Sequence, residues 1–548
     1  MSQGKKGMKG LAALRNALSS LKSVLVGRPA TFADPAPPSS KKRNEGQKTR
    51  SQAAVSAAAT SKAANKPVTP VPPSVQQTEP EPPPSSLTNR PSPPAPTVSS
   101  APATPAGEEA LKVVQAAIRD VRFSVAEGRP KIVSAKTARD LHSRIARGSA
   151  ILRDRPDPDP NGFIIGMDFG TSSTKTIVHQ PFTAGDPTKA LPVPIELRSG
   201  GLEHLWQTAI WFDPNAKTFT LFPAAGTLVI DGFKASLIQG LGGQSDACGV
   251  PRCLAAVAYL GLLFAYVIGY FDDEQPLGWT EANHFAALHL GAPVASADDA
   301  KIRPEFQRIA AAAKLIAQHD GSISLDVVEK AYRGASPQTV GDDKSGLRLF
   351  SELEGVIAGY IATPDQRPGA HMVVDVGAST LDVATFRLWN EDGARKCDVY
   401  ATAVEMLGAE ALSWSRLAGV PDASFRKACG YVAFEPFHET RKKKDRSFDR
   451  TTSDQPVKFL LVGGGRHTVV HSELFNNPGK DIYLGAPTST PVPANRTVSD
   501  PNVDFARLLV AYGLSRDPSR LPTTRLPSET PNEPPRSRRD IEDKYIYD

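Results

Sequence analysis

With 548 residues and 40% hydrophobic content, the chain holds a globular part larger than one compact core needs. The net charge of +6 is local: residues 1–100 carry 14 Lys+Arg and 4 Asp+Glu, against 64 and 58 in the whole chain, so the remainder is slightly acidic and makes no case for specific nucleic-acid binding. Nothing in the four cysteines suggests a disulfide framework, no secretory signal is expected at the start of the sequence, and a reducing cytoplasmic setting is the expectation.

In chain order, Leu11, Leu14, Leu18, Leu21 and Leu25 predict an amphipathic basic helix within residues 1–27. Its stripe, with Arg15 and Lys22 beside it, suits docking on a protein partner or peripheral contact with an anionic membrane surface. Residues 28–107 are rich in Pro, Ala, Ser, Thr and Lys, with Phe32 the only aromatic, and read as a disordered linker. Structure is expected over 108–517, and a second proline-punctuated, disordered tail over 518–548. The uncharged run Cys253 to Phe271 has the length of a membrane span. It reads instead as a buried helix, because a span would separate the pair of loops that have to meet around one ligand.

The first of those loops is IIGMDFGTSSTKTIV at 164–178. An apolar strand runs into Asp168-Phe169-Gly170, then a hydroxyl-rich turn, then a second strand. Gly170 allows a tight turn and close approach of backbone to phosphate oxygens, while the N–H groups and the hydroxyls of Thr171, Ser172 and Ser173 can donate to them. Asp168 at the strand end can hold hydrated Mg²⁺. Lys175 either adds a positive charge here or faces solvent. The order recurs in HMVVDVGASTLDVATFRL at 371–388, with Asp375, then Gly377, Ala378, Ser379 and Thr380. Asp382 on the following strand offers a further carboxylate for the metal. Two copies suggest two related lobes, each giving one loop to a shared cleft. In FLLVGGGRHTVV at 459–470, a strand ends in Gly463-Gly464-Gly465, where an adenine ring or ribose can lie flat on the backbone.

These three motifs, in this order, resemble the ATPase domain of the heat-shock-70 chaperones within the actin-like superfamily. The resemblance covers about 160–516 and implies an α/β, two-lobed actin-like fold that binds Mg·ATP, hydrolyses it slowly, and opens and closes with nucleotide. Segments 290–317 and 503–515 look like the family's connecting segments, and AVEMLGAEAL at 403–412 like its Leu-Gly-Gly stretch. By register in SELEGVIAGYI, the resemblance implies that Glu352 helps position the attacking water, with Asp168 and Asp375 also catalytic and Asp168, Asp375 and Asp382 serving the metal. The departures are several. No lysine matches the family's catalytic one, and Lys234 in DGFKASLIQG looks like a structural lysine. The stretch from Ala418 to Pro456 is too short for the outer subdomain that grips adenine, and no peptide-holding domain follows Arg516. Two other readings stay open: a sugar-kinase-like phosphotransferase, and a nucleotide-gated scaffold without turnover.

Overall fold

A computed structural model describes residues 105–118, 134–180, 190–194, 203–246, 248–274, 284–293, 299, 301–391, 394–450, 453, 455–479, 482–488 and 504–530. The amphipathic helix expected within 1–27, nearly all of the 28–107 linker and the end of the C-terminal tail lie outside them.

Two helices precede the first strand. Helix α1 (Pro105–Ile118) starts three residues earlier than the expected boundary at 108, with proline in its first turn, where the missing N–H costs nothing. Helix α2 (Ala135–Asp154) opens on an N-cap serine, Ser134, whose side chain accepts from the Thr137 N–H. The first sheet then begins with β1 (Phe163–Asp168), buried at every position as a central strand must be. It continues through β2 (Ser173–His179), β3 (Ala190–Pro192) and β4 (Trp206–Gln207). A small four-stranded sheet follows, from β5 (Ala209–Asp213), β6 (Thr218–Thr220), β7 (Leu228–Asp231) and, after several helices, β9 (Ile323–Ser324). Between these lie α3 (Phe233–Ile238), α4 (Arg252–Glu274), the strand β8 (Phe285–Ala292) and α5 (Arg303–Ala317). After α6 (Leu325–Gly334), β10 (Leu347–Ser351) completes the first sheet, in the order β10-β8-β1-β2-β3 with β4 also on β2.

Helix α7 (Glu352–Ile361) leads to the second sheet. Its strands are β11 (Gly369–Val376), β12 (Leu381–Glu391), β13 (Ala394–Glu405), β14 (Val457–Val462), β15 (Leu484–Thr488) and β16 (Thr523–Arg525), in the order β15-β14-β11-β12-β13-β16. Helices α8 (Ala409–Leu417), α9 (Asp422–Lys443) and α10 (Val469–Asn476) lie between them, and α11 (Leu509–Leu514) follows β15. The two six-stranded sheets share a plan. In each, the strand before a loop pairs antiparallel with the strand after it and parallel with a later strand on its other side.

Alternation along the strands sorts the side chains between two faces. Phe163, Ile165 and Met167 enter one apolar cluster with α4 and α5, and Met372, Val374 and Val376 enter another with α1, α8 and α9. The opposite faces turn to a third cluster, where Val373, Ala384 and Phe386 of the second sheet meet Ile177 of the first across α7 and α11. Asp168 and Asp375 sit on those inner faces. Helix α11 is seated closely there. A Cβ on Gly513 would run into the Gly355 carbonyl of α7, and one on Gly166 into the Ala511 carbonyl. His289 and His179 each donate from Nδ1 to the last carbonyls of that segment, Leu514 at 2.7 Å and Ser515 at 3.2 Å.

Helix α4 is long and apolar enough to cross a membrane, but 94% of its apolar window is buried within the protein. A helix apolar on every side has to be covered on every side. One cover is α2, which crosses α4 where Gly148 and Gly269 leave no space for a Cβ and sets Arg144 on Asp273 and Glu274.

The C-terminal boundary needs correction. Residues 518–530 do not form a featureless tail: β16 pairs in parallel with β13, Arg525 makes a bidentate ion pair with Asp398, and the Thr530 hydroxyl donates to the Val399 carbonyl at 2.9 Å. An edge strand with an ion pair orders a segment that proline content alone marks as loose.

Candidate functional site

Both loops arrive at one buried cluster of charge. Asp168 and Asp375, at the ends of corresponding strands, are joined there by Asp382, Glu352, Lys175 and Lys234. Lys175 lies opposite Asp168 in the β1–β2 register and its ammonium donates to Oδ2 at 3.0 Å. That resolves its direction: it faces Asp168 and is mostly buried. Lys234, read from sequence as a structural lysine, belongs to this cluster. It projects from α3 between the buried residues Phe233 and Ala235 and forms an ion pair with Glu352. Burial opposes its charge, but Glu352 and Asp168 outweigh burial and raise its pKa. Glu352 opens α7, while Glu354 is spent on that helix's own capping box: its carboxylate accepts from the Ser351 N–H at 2.7 Å and its backbone N–H donates to the Ser351 hydroxyl oxygen at 3.1 Å. The two glutamates therefore have separate jobs, and only Glu352 belongs to the cluster.

The carboxylates outnumber the ammonium groups. Burial, then Glu352 and Asp168, push Asp375 up to about 7, and burial, then Glu352 and Asp375, push Asp382 up to about 8. Asp382 Oδ1 and the Ser379 hydroxyl are buried without a protein partner. Glu352, Asp375 and Asp382 also line a cavity of about 20 Å³, enough for one water molecule. Among the described residues, no three His, Cys, Asp or Glu side chains form a ready-made metal cage.

The backbone of each loop is oriented by what holds its carbonyls. In the first, the Thr208 N–H donates to the Ser172 carbonyl at 3.0 Å and the Thr208 hydroxyl to the Gly170 carbonyl at 2.7 Å. A trans peptide points its N–H opposite to its C=O, so the Thr171 and Ser173 amides turn away from Thr208. In the second, the first amides of α8 hold three successive carbonyls: Ala409 to Gly377 at 3.1 Å, Glu410 to Ala378 at 2.6 Å and Gly408 to Ser379 at 2.9 Å. The amides of Ala378, Ser379 and Thr380 consequently turn away from α8 together. Gly170 is required by space, since a Cβ there would meet the Ser173 carbonyl and the Lys175 ammonium.

The glycine turn sits on the second loop. Gly463 has φ of 82° and its Cα lies against Asp375 and Val376, while Gly465 lies against Gly377. Arg466 fastens the turn by donating to the Gly463 carbonyl at 2.6 Å and pairing with Asp504, and the Arg507 guanidinium lies over Gly464. The two loops, Glu352 and the glycine turn thus come together, as their order in the sequence suggests. Lys234, Thr208 and Gly408 are additional. A lone lysine amid the buried positions of a short helix is a signal for Lys234, whereas Thr208 has none.

A scan against protein-family models finds no match for this chain, and a search of curated proteins finds none either.

Proposed function

We propose that this chain is a Mg·ATP-binding protein of actin-like, heat-shock-70-like architecture that hydrolyses ATP slowly. The observation that carries the reading is the convergence of two separate Asp-x-Gly loops, from sheets of matching plan, on one buried charge cluster. With every group ionised, Asp168, Glu352, Asp375 and Asp382 against Lys175 and Lys234 would leave two negative charges in excess, and burial with this mutual repulsion raises Asp375 and Asp382 so that they retain protons in place of a cation. A hydrated divalent cation fits it. Mg²⁺ takes one or two carboxylates and keeps several waters, so Asp168, Asp375 and Asp382 would hold it with at most two of them bound directly and the rest through its waters. Bound there, the ion would neutralise charge on the phosphate chain.

The chain's own residues supply the rest. The amides of Thr171, Ser173, Ala378, Ser379 and Thr380, with the Ser172 hydroxyl, bind phosphate oxygens. Lys175 and Lys234 offset their charge, Glu352 orients water in the adjoining cavity, and Gly463–Gly465 receives the adenosine. Helices α7 and α11, seated between the sheets, are the hinge on which two lobes open and close. The test is phosphate release from Mg·ATP, with and without EDTA and with a panel of sugars. Slow, Mg²⁺-dependent release independent of sugar is expected. Sugar-dependent transfer would make the protein a kinase, and binding without release a nucleotide-gated scaffold.

A further inference from the structure

We propose that Gln207 is a binding residue of this site, its side-chain amide donating to a phosphate oxygen held at the first loop; the proposal rests on the nucleotide reading above. Gln207 lies on β4 directly opposite Ser173 of β2, and directly opposed residues share a face of the sheet. Lys175, two residues further along β2, shares that face, and so does Asp168, its own cross-strand partner. The neighbouring Trp206 points the other way, into the core. Its indole N–H donates to the Val193 carbonyl at 3.1 Å and its ring meets Tyr266 edge-on. Alternation therefore aims Gln207 toward the side of the sheet that carries the charge cluster.

The residue is 3% exposed, and among the described residues neither Oε1 nor Nε2 has a hydrogen-bond partner. A carboxamide packed only for shape would be better replaced by an apolar residue of the same length, because an unpaired buried amide is destabilising. Its surroundings select the ligand. Lys175 offers an ammonium on the same face, shared with Asp168. The Gln207 Nε2 group adds two more donors, without adding to the carboxylate excess as Glu would. That donor set suits a polyphosphate oxygen.

Gln207→Met and Gln207→Glu test this, with apo melting temperatures and calorimetric titration of Mg·ATP and, separately, adenosine. The expected result is a Met variant that melts at or above the parent, binds Mg·ATP roughly tenfold more weakly, the effect of about 1.4 kcal/mol, and takes adenosine unchanged. The Glu variant should lose more Mg·ATP affinity than Met; should it fail to fold, the Met variant alone decides. Parental Mg·ATP affinity in the Met variant, or adenosine and Mg·ATP weakening in step, would overturn the proposal and leave Gln207 a core amide. A parent protein that takes up no Mg·ATP would instead overturn the nucleotide reading itself, and this proposal with it.

Discussion

The first loop carries its counter-charge with it, since Asp168 meets Lys175 across its own hairpin, whereas the second loop brings two buried carboxylates and no cation. Their braces differ as well. A side chain, Thr208, holds half of the contacts that orient the first loop, while a helix terminus orients the second through backbone alone. The first loop is thus balanced before anything binds. The second is held in shape with two carboxyls that burial and each other's proximity push toward the protonated form.

The largest expected effect comes from breaking the balance that the loops share. Lys234→Met should destabilise the protein by about 3–5 kcal/mol, because it strands Glu352 in the interior without a partner. The Lys234→Met, Glu352→Gln pair should recover much of that loss. Chemical denaturation of the two single variants and the double variant measures it. A loss that the double variant does not recover would detach Lys234 from the cluster.

Glu352→Gln should slow phosphate release by about 10²–10⁴, with Mg·ATP affinity within a few fold. Glu354→Ala should leave turnover alone and cost about 1 kcal/mol of stability through the lost cap. Equal kinetic losses in both would mean that the division of roles between the two glutamates is wrong.

The charge asymmetry between the loops makes a prediction about pH. Asp375 and Asp382 have folded-state pKa values raised above the unfolded carboxyl range, to about 7 and 8. Between about pH 4 and 8 the folded state therefore holds more protons than the unfolded one, and stability without ligand should fall as pH rises, with at most about 1.4 kcal/mol per pH unit from each group. Mg·ATP should restore most at the alkaline end. Melting temperatures of the parent and of Asp375→Asn, Asp382→Asn across that range provide the check: the variant should show the flatter profile, and parallel profiles would contradict the charge imbalance assigned to the second loop.

The difference in bracing predicts smaller effects. Gly408→Ala sets a Cβ against the Ala378 and Gly377 carbonyls and should disturb the second loop more than Thr208→Val disturbs the first, where the backbone bond to Ser172 survives. Mg·ATP affinities of the two variants should fall in that order, with Thr208→Val only a few fold weaker than the parent.

What was legible in the sequence follows the range of the interactions. The pair of Asp-x-Gly turns is local, since each is an apolar strand, a glycine and a hydroxyl run within about a dozen residues, and both are found at the strand ends the sequence predicts. Glu352 could be placed only by the resemblance, because a glutamate at a helix start reads equally well as a cap, which is the role Glu354 takes. The partner of Lys234 was not legible because it stands on another helix far along the chain, and a single lysine in DGFKASLIQG carries no sign of that carboxylate. The same holds for 518–530. Prolines mark the segment locally, but the Arg525–Asp398 pair and the β13 edge that order it are distant in sequence. Helix α4 was readable as core rather than span only through a functional argument, and α2 supplies some of the physical cover.

The measurement that bears most directly on the proposed nucleotide site is calorimetric binding of Mg·ATP to the parent protein, to Asp168→Asn and to Asp375→Asn. One nucleotide held by both loops requires each substitution alone to weaken binding strongly, with one site per chain in the parent. Unchanged affinity in both variants would contradict the central claim, and loss in one alone would show that a single loop does the binding.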